Sequence, residues 1–244
     1  MSYDLKNKTA LVTGSTDGLG RLLALELAKS GANLIVHGRT QEKVDPIVSE
    51  LKSINNQGEY SSVICDLNNP ESIYSAFSSL KHLDILINDA GVWLEGETVD
   101  APPEKIIEVL HVNLLAPLLV TRAVLPLLQK SKFSQILNIS SIAGVTLPEG
   151  YYHSIYTAYT ATKWGLQSFT EAMAKEFDNK NIRVMGYYPG GMETKLFKKA
   201  GNDYKVHEPW MFDPQESVEA MVFMLTRDPK INIKRMDLIN HLQK

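Results

Sequence analysis

Short apolar and β-branched runs alternate along this chain with longer segments in which apolar residues recur at helical spacing. Thr9-Ala10-Leu11-Val12-Thr13, closed by Gly14, reads as a first strand. A helix over 19–29 follows, with Leu22, Leu23, Ala24 and Leu27 on a helical period and Gly31 as its stop. The same pattern predicts further strands over 33–37, 61–65, 84–88, 135–139, 182–187 and 236–239. Between them it predicts a helical stretch ending near Gly58 and helices over 70–80, 104–128, 159–177 and 214–226. Pro117 predicts a kink in the longest of these, because a proline inside a helix costs about 3 kcal/mol.

Apolar strands separated by helix-length segments are the signature of a parallel sheet covered on both faces. The expected fold is therefore α/β: a single doubly wound domain over 1–244, with a mostly parallel seven-stranded sheet and helices on both faces. Residues 194–213 break the alternation and read as an insertion beside a substrate site. A length of 244 residues, 44% of them hydrophobic and 22% charged, suits a folded domain and excludes an intrinsically disordered chain. The 25 basic and 28 acidic side chains leave a net charge of −3, so no polyphosphate-tracking surface and no nucleic-acid partner is expected. The single cysteine, Cys65, rules out an intramolecular disulfide and fits a reducing compartment. The charged start Met1-Ser2-Tyr3-Asp4-Leu5-Lys6 lacks the apolar run of a secretory signal. The apolar stretch 109–119 is interrupted by His111, Asn113 and Pro117, short of the roughly 18 residues of a spanning helix. A cytoplasmic protein with no membrane partner is expected. With one cysteine and no HExxH spacing among the six histidines, no metal site is expected either.

Candidate chemistry begins at Thr13-Gly14-Ser15-Thr16-Asp17-Gly18-Leu19-Gly20, between the first strand and the first helix. Gly14 permits a tight turn, Gly18 lets the backbone approach a pyrophosphate, and Gly20 lets the helix lie on the sheet. The helix N-terminus offers unpaired N–H groups and a positive dipole to phosphates. No lysine follows the last glycine, so this is not a Walker loop. No serine sits in a Gly-x-Ser-x-Gly elbow, which removes the usual α/β serine hydrolase arrangement. Further along stand Asn88-Asp89-Ala90-Gly91 after the fourth strand, Asn113 in the long helix, and Ser141 ending the fifth strand. Tyr159-Thr160-Ala161-Thr162-Lys163 opens the next helix, and Pro189-Gly190 ends the sixth strand with Thr194 just beyond. In this order and spacing, over about 8–240, the chain resembles the classical short-chain dehydrogenase/reductase family, with its Rossmann fold. Asp89 departs from the second asparagine usual there, and the 18 positions from Ser141 to Tyr159 are a few more than usual, read as a loop insertion over 148–155.

That resemblance implies an oxidoreductase moving hydride between a nicotinamide dinucleotide and a carbonyl or secondary alcohol, with Asn113, Ser141, Tyr159 and Lys163 as catalytic residues. Tyr159 and Lys163, four apart, share a helix face. An ammonium nearby favours phenolate, as would the positive nicotinamide of an oxidised dinucleotide, so the phenol is expected to come down from its usual pKa of about 10. By resemblance Tyr159 exchanges the proton with the substrate oxygen, Ser141 holds that oxygen, Lys163 also binds the nicotinamide ribose, and Asn113 maintains a water chain from Lys163. Other readings remain open: Ser140 could take the place of Ser141, and Asn113 could simply repair a helix kinked by Pro117. The rivals Tyr152 and Tyr156 have no lysine four residues on.

The implied cofactor contacts are Gly14, Ser15, Thr16, Asp17, Gly18, Leu19, Gly20, Arg39, Asp66, Leu67, Asn88, Ala90, Gly91, Tyr159, Lys163, Pro189, Gly190 and Thr194. His37-Gly38-Arg39 carries no acid at the end of the second strand, and Arg39 can stack on adenine and pair with a phosphate. NADP(H) is therefore preferred, with NAD(H) as the alternative because Asp17 would oppose a phosphate. Asp66 reads either as an adenine ligand or as a turn aspartate. Trp93, Ser141, His153, Met192 and Trp210 are expected to line the pocket for a small carbonyl or alcohol substrate, joined by Tyr151, Tyr152, Tyr188 and Phe197. The resemblance also implies a homodimer or homotetramer through the helices starting near Glu104 and Tyr159, although Leu114, Leu115, Leu118 and Leu119 fit core packing equally. The competing function is a non-catalytic dinucleotide sensor or scaffold on the same fold.

Overall fold

The computed structural model describes residues 2–145, 157–204 and 208–241. Seven strands are found among them: β1 (Thr9–Val12), β2 (Asn33–Gly38), β3 (Tyr60–Ile64), β4 (Ile85–Asn88), β5 (Ser134–Ile139), β6 (Ile182–Pro189) and β7 (Arg235–Leu238). They form one sheet in the order β3-β2-β1-β4-β5-β6-β7, with every neighbouring pair parallel. The helices are α1 (Gly18–Lys29), α2 (Gln41–Ile54), α3 (Pro70–Ser78), α4 (Pro103–Leu110), α5 (Ala116–Lys130), α6 (Thr157–Glu176), α7 (Leu196–Lys199) and α8 (Pro214–Leu225). The chain is thus a doubly wound α/β fold, and its order reverses between β1 and β4, where such sheets bind their ligands.

Strand side chains alternate between two cores. Ala10 and Val12 of β1 join Ile85, Ile87, Met185 and Tyr187 on the face covered by α1, α2 and α8. Leu11, Leu86 and Val184 point the other way, onto α3, α5 and α6 through Ile73, Phe77, Val120, Val124 and Met173. This period of two, apolar on both faces, is why the strands read as continuous apolar runs. Helix starts carry their own signals: Asn69 and Asp213 cap α3 and α8 by accepting N–H groups of Glu71 and Gln215, each just ahead of a proline in the first turn.

The irregularity in the long helix lies one turn before Pro117. Residues His111–Leu115 form a π turn between α4 and α5, with the Ala116 N–H reaching back to the His111 carbonyl. Pro117 has no N–H for the carbonyl four residues earlier, that of Asn113, and the wider turn puts the proline into the first turn of α5, where no donor is missed. Contrary to the sequence expectation, the helical segment over 103–130 is long and apolar enough by composition to cross a membrane. Half of its most apolar stretch is buried inside the protein, and its buried side chains pack against α3, α6 and the sheet.

Leu23 of α1 is fully buried between that helix and the sheet. Leu23→Ala should lower stability by about 2–5 kcal/mol. The measurement is the urea midpoint at unchanged denaturant slope, and a loss well under 1 kcal/mol would contradict this packing.

Candidate active site

A cleft of about 1160 Å³ opens at the carboxyl ends of the strands, lined by residues following β1, β2, β3, β4, β5 and β6. Its floor near β1 is the glycine turn. Gly14 has φ 71°, and a β-carbon there would come within 2.9 Å of the Ala90 backbone, so the loops after β1 and β4 approach too closely for any other residue. Thr13 joins the same two loops: its Oγ1 accepts the N–H groups of Asp89 and Ala90 at 3.0 and 3.1 Å. Asp17 caps α1 through the Gly18 N–H at 2.8 Å.

His37, at the end of β2, is buried beneath this turn. Its Nδ1 accepts the Gly14 N–H at 3.0 Å, which leaves Nε2 to donate to the Cys65 carbonyl at 3.1 Å. The ring is therefore a neutral splint between the loops after β1 and β3. Burial pushes its pKa down to about 4, against the opposing pull of the Cys65 hydrogen bond and Asp66.

At the other end of the cleft Tyr159 and Lys163 lie on one face of α6, both buried. Ser141 sits just past β5 and hydrogen-bonds the Tyr159 phenol. Its neighbour Ser140 is turned away and donates to the Lys163 carbonyl at 3.1 Å. Lys163 Nζ donates to the Ile139 carbonyl at 3.0 Å and stands 5.6 Å from the Tyr159 ring centre. Lys163 by itself does not acidify the phenol in this geometry. Burial raises the Tyr159 pKa to about 12, and Ser141 is the group that opposes the rise. Burial also brings Lys163 down to about 8, with Asp89 pulling it back up. Burial thus shifts both groups in the direction of their neutral forms.

Asp89 is a site residue whose role only the structure reveals. Burial pushes its pKa up to about 7, opposed by Lys163 and by the Gly20 N–H it accepts. A β-carbon on Gly20 would stand 2.5 Å from its Oδ2, so Gly20 makes room for this acid as α1 lies on the sheet.

Asn113 is buried in the π turn, and its side chain clamps the loop after β4: Nδ2 donates to the Val92 carbonyl and Oδ1 accepts the Val92 N–H, both at 2.8 Å. Asn88 is likewise buried, donating to Thr121 and Asn138, and Ser15 is buried with its Oγ accepting the His37 N–H. Ser15, Gly20, Asn88 and the Asn113 side chain therefore support the cleft from beneath, whereas the other expected cofactor residues line it. Asp66 lines it too, while its carboxylate accepts the Asn68 N–H as a turn aspartate does.

Of the expected pocket residues, Trp93, Ser141, Met192 and Trp210 line the cleft. His153, with Tyr151 and Tyr152, lies outside the described residues. Tyr188 is instead buried in β6, under the Arg235 guanidinium. Trp93 packs 4.4 Å from the Tyr159 ring, and Phe197 links Trp93 to Tyr204 and Trp210 in an aromatic wall. Glu95 accepts the Trp93 Nε1 and Tyr204 hydroxyl protons behind it. At the opposite mouth, Arg39, Lys43, Lys195 and Lys199 line the cleft. Lys195 and Lys199 went unread in the sequence, although their spacing of four beyond Thr194 was a visible signal.

Comparison with known proteins gives consistent matches. The family model described as short chain dehydrogenase matches residues 8–205. An NADP-dependent 3-hydroxy acid dehydrogenase of Schizosaccharomyces pombe is 33% identical over 243 residues, covering 94% of this chain and 91% of that protein. A 3-oxoacyl-acyl-carrier-protein reductase of Aquifex aeolicus is 33% identical, with 92% of each chain covered. Among solved structures, a short chain dehydrogenase of Escherichia coli CFT073 complexed with NADPH superposes with a TM-score of 0.83 at 26% identity, covering 96% of this chain and 98% of that one.

The splint role of His37 sets a pH dependence. An unfolded histidine titrates near 6.5 and the folded one near 4, so between those values the unfolded chain binds more protons and stability falls as pH drops. The contribution is complete above pH 6.5 and amounts to about 3 kcal/mol lost by pH 4. Subtracting the unfolding free energies of His37→Asn from those of the wild type across pH 4–7 isolates this slope. A difference that does not change with pH would refute the splint.

Proposed function

The chain belongs to the short-chain dehydrogenase/reductase family, and from that premise we propose that it is an NADP(H)-dependent oxidoreductase interconverting a carbonyl and a secondary alcohol. The observation that carries this reading is the Tyr159 phenol, hydrogen-bonded by Ser141 and one helical turn from Lys163, in the cleft that also holds the glycine turn. The residues present fit a nicotinamide dinucleotide. Gly14 and Gly18 leave the turn and the N-terminus of α1 open to phosphates, and Arg39 and Lys43 stand at the acid-free end of β2. The named NADP-dependence of the yeast relative and the NADPH in the E. coli structure support NADP(H) over NAD(H).

When bound, the nicotinamide supplies or accepts the hydride. Ser141 receives the substrate oxygen through a hydrogen bond and holds it against Tyr159. With its pKa raised to about 12, Tyr159 is a proton donor at neutral pH, which suits carbonyl reduction: the phenol protonates the oxygen as negative charge develops there. Lys163, drawn down to about 8, can return a proton to Tyr159, and Asn113 contributes by fixing the loop at Val92 and the π turn. The aromatic wall favours an apolar substituent of moderate size on the carbonyl. A dinucleotide sensor would have no use for the Ser141–Tyr159–Lys163 set.

In this reading 1–244 acts as one catalytic domain, with 194–213 as its substrate-side insertion, in the cytoplasm. We infer self-association into a homodimer or homotetramer through α4 and α6, a reading supported by the exposed Ile107, Leu110 and Trp164 on those helices.

Tyr159→Phe should bind NADPH within about twofold of the wild type and lose a factor of about 10²–10⁴ in turnover of a reducible ketone. Normal turnover would end the reading. Arg39→Met should weaken NADPH about tenfold and leave NADH unchanged, the size of one charged hydrogen bond. Titration by nicotinamide fluorescence tests this, and equal effects on both dinucleotides would remove Arg39 from the 2′-phosphate.

A further inference from the structure

Asp17 puts a negative charge at the phosphate end of the cleft, where the proposed cofactor is itself strongly anionic. It is not alone there. Lys199 Nζ lies 3.0 Å from Asp17 Oδ2 and Lys195 Nζ 3.6 Å from Oδ1. Burial would raise the Asp17 pKa, but the hydrogen bonds from Lys199 and the Gly18 N–H hold it below the usual carboxylate range. The two lysines stand four apart, Lys195 as the N-cap and Lys199 as the last residue of the one-turn helix α7, joined by the hydrogen bond from the Lys199 N–H to the Lys195 carbonyl, and so share a face. Between them Phe197 points the other way, buried in the aromatic wall against Trp93 and Trp210. One helical turn therefore presents cations to the cofactor mouth and an aromatic ring to the substrate wall.

Resting on the dinucleotide reading above, we propose that Lys195 and Lys199 are phosphate ligands of the cofactor, held in position by Asp17 and passed from its carboxylate to the cofactor phosphates on binding. All three side chains line the same cleft, and together they change its local charge from −1 to +1. Both lysines are largely exposed in the pair, at 71% and 62%, and exposed ion pairs contribute little to stability, so the exchange meets a small barrier. A doubly or triply charged phosphate cluster competes well against a single carboxylate for the same ammonium groups. The exchange forms and breaks ion pairs only.

The test is titration of the purified full chain with NADPH and NADH at low and high salt. Lys199→Met should raise the NADPH dissociation constant about tenfold, and Lys195→Met less. Asp17→Asn, which keeps a good N-cap for α1, should tighten binding severalfold by removing the competitor. The double variant Asp17→Asn/Lys199→Met should bind more weakly than Asp17→Asn alone, and all these differences should shrink in 1 M salt. A loss confined to NADPH assigns the contact to the 2′-phosphate, and a loss shared with NADH assigns it to the pyrophosphate. Both outcomes uphold the proposal. A purely structural clasp would make Asp17→Asn and Lys199→Met shift affinity in the same direction, and that result overturns it, as does unchanged binding by Lys199→Met. Wild-type protein that binds neither dinucleotide overturns the oxidoreductase reading as well, so the two failures are distinguishable.

Discussion

Peptide N–H groups at the carboxyl ends of β1 and β4 have left the sheet ladder but remain partly enclosed, and each must find an acceptor. Side chains provide them: Thr13 Oγ1 for Asp89 and Ala90, His37 Nδ1 for Gly14, and Asn113 Oδ1 for Val92. These bonds fix the loops from which the cleft is built. The glycine turn and the catalytic end therefore share one rigid frame, tied further by Asn88 and Asn138 between β4, β5 and α6. Ordinary loops carry their polar groups to water, whereas these carry them inward.

The same enclosure sets the electrostatics. Tyr159, Lys163 and Asp89 all lie where desolvation outweighs their attractions, and all three are pushed toward neutral forms. Burial raises the acid and lowers the lysine, while their mutual attraction opposes both shifts. Asp89 thus adds a titratable group that acts on Lys163, and Gly20 is the residue whose missing β-carbon makes room for it. The π turn serves the same end of the site, because the widened helix places Asn113 on the loop at Val92 while absorbing Pro117.

Helix α7 couples the two ends by having two faces. Lys199 and the N-cap Lys195 reach the glycine turn through Asp17, and Phe197 completes the aromatic wall over Tyr159 through Trp93. An element of four residues has little stability of its own, so its position depends on these attachments at either side.

The alternation of apolar runs was sufficient to determine the doubly wound parallel sheet, because residues apolar on both faces can be satisfied only between two layers of helices. The glycine turn was legible for a similar reason, since backbone geometry there admits few residues, and the spacing of Tyr159 and Lys163 on one helix follows from local periodicity. Ser140 and Ser141 divide their roles by strand alternation, a rule the sequence states without saying which residue faces the cleft. The rest depended on distance in space. Asn113 meeting Val92, His37 meeting Gly14, Asp17 meeting Lys199 and the burial that raises Tyr159 each involve partners far apart in the chain or a solvent exclusion made by several elements together. Periodicity reports which face of an element is apolar; only the packed structure decides what lies opposite that face and how much water remains there.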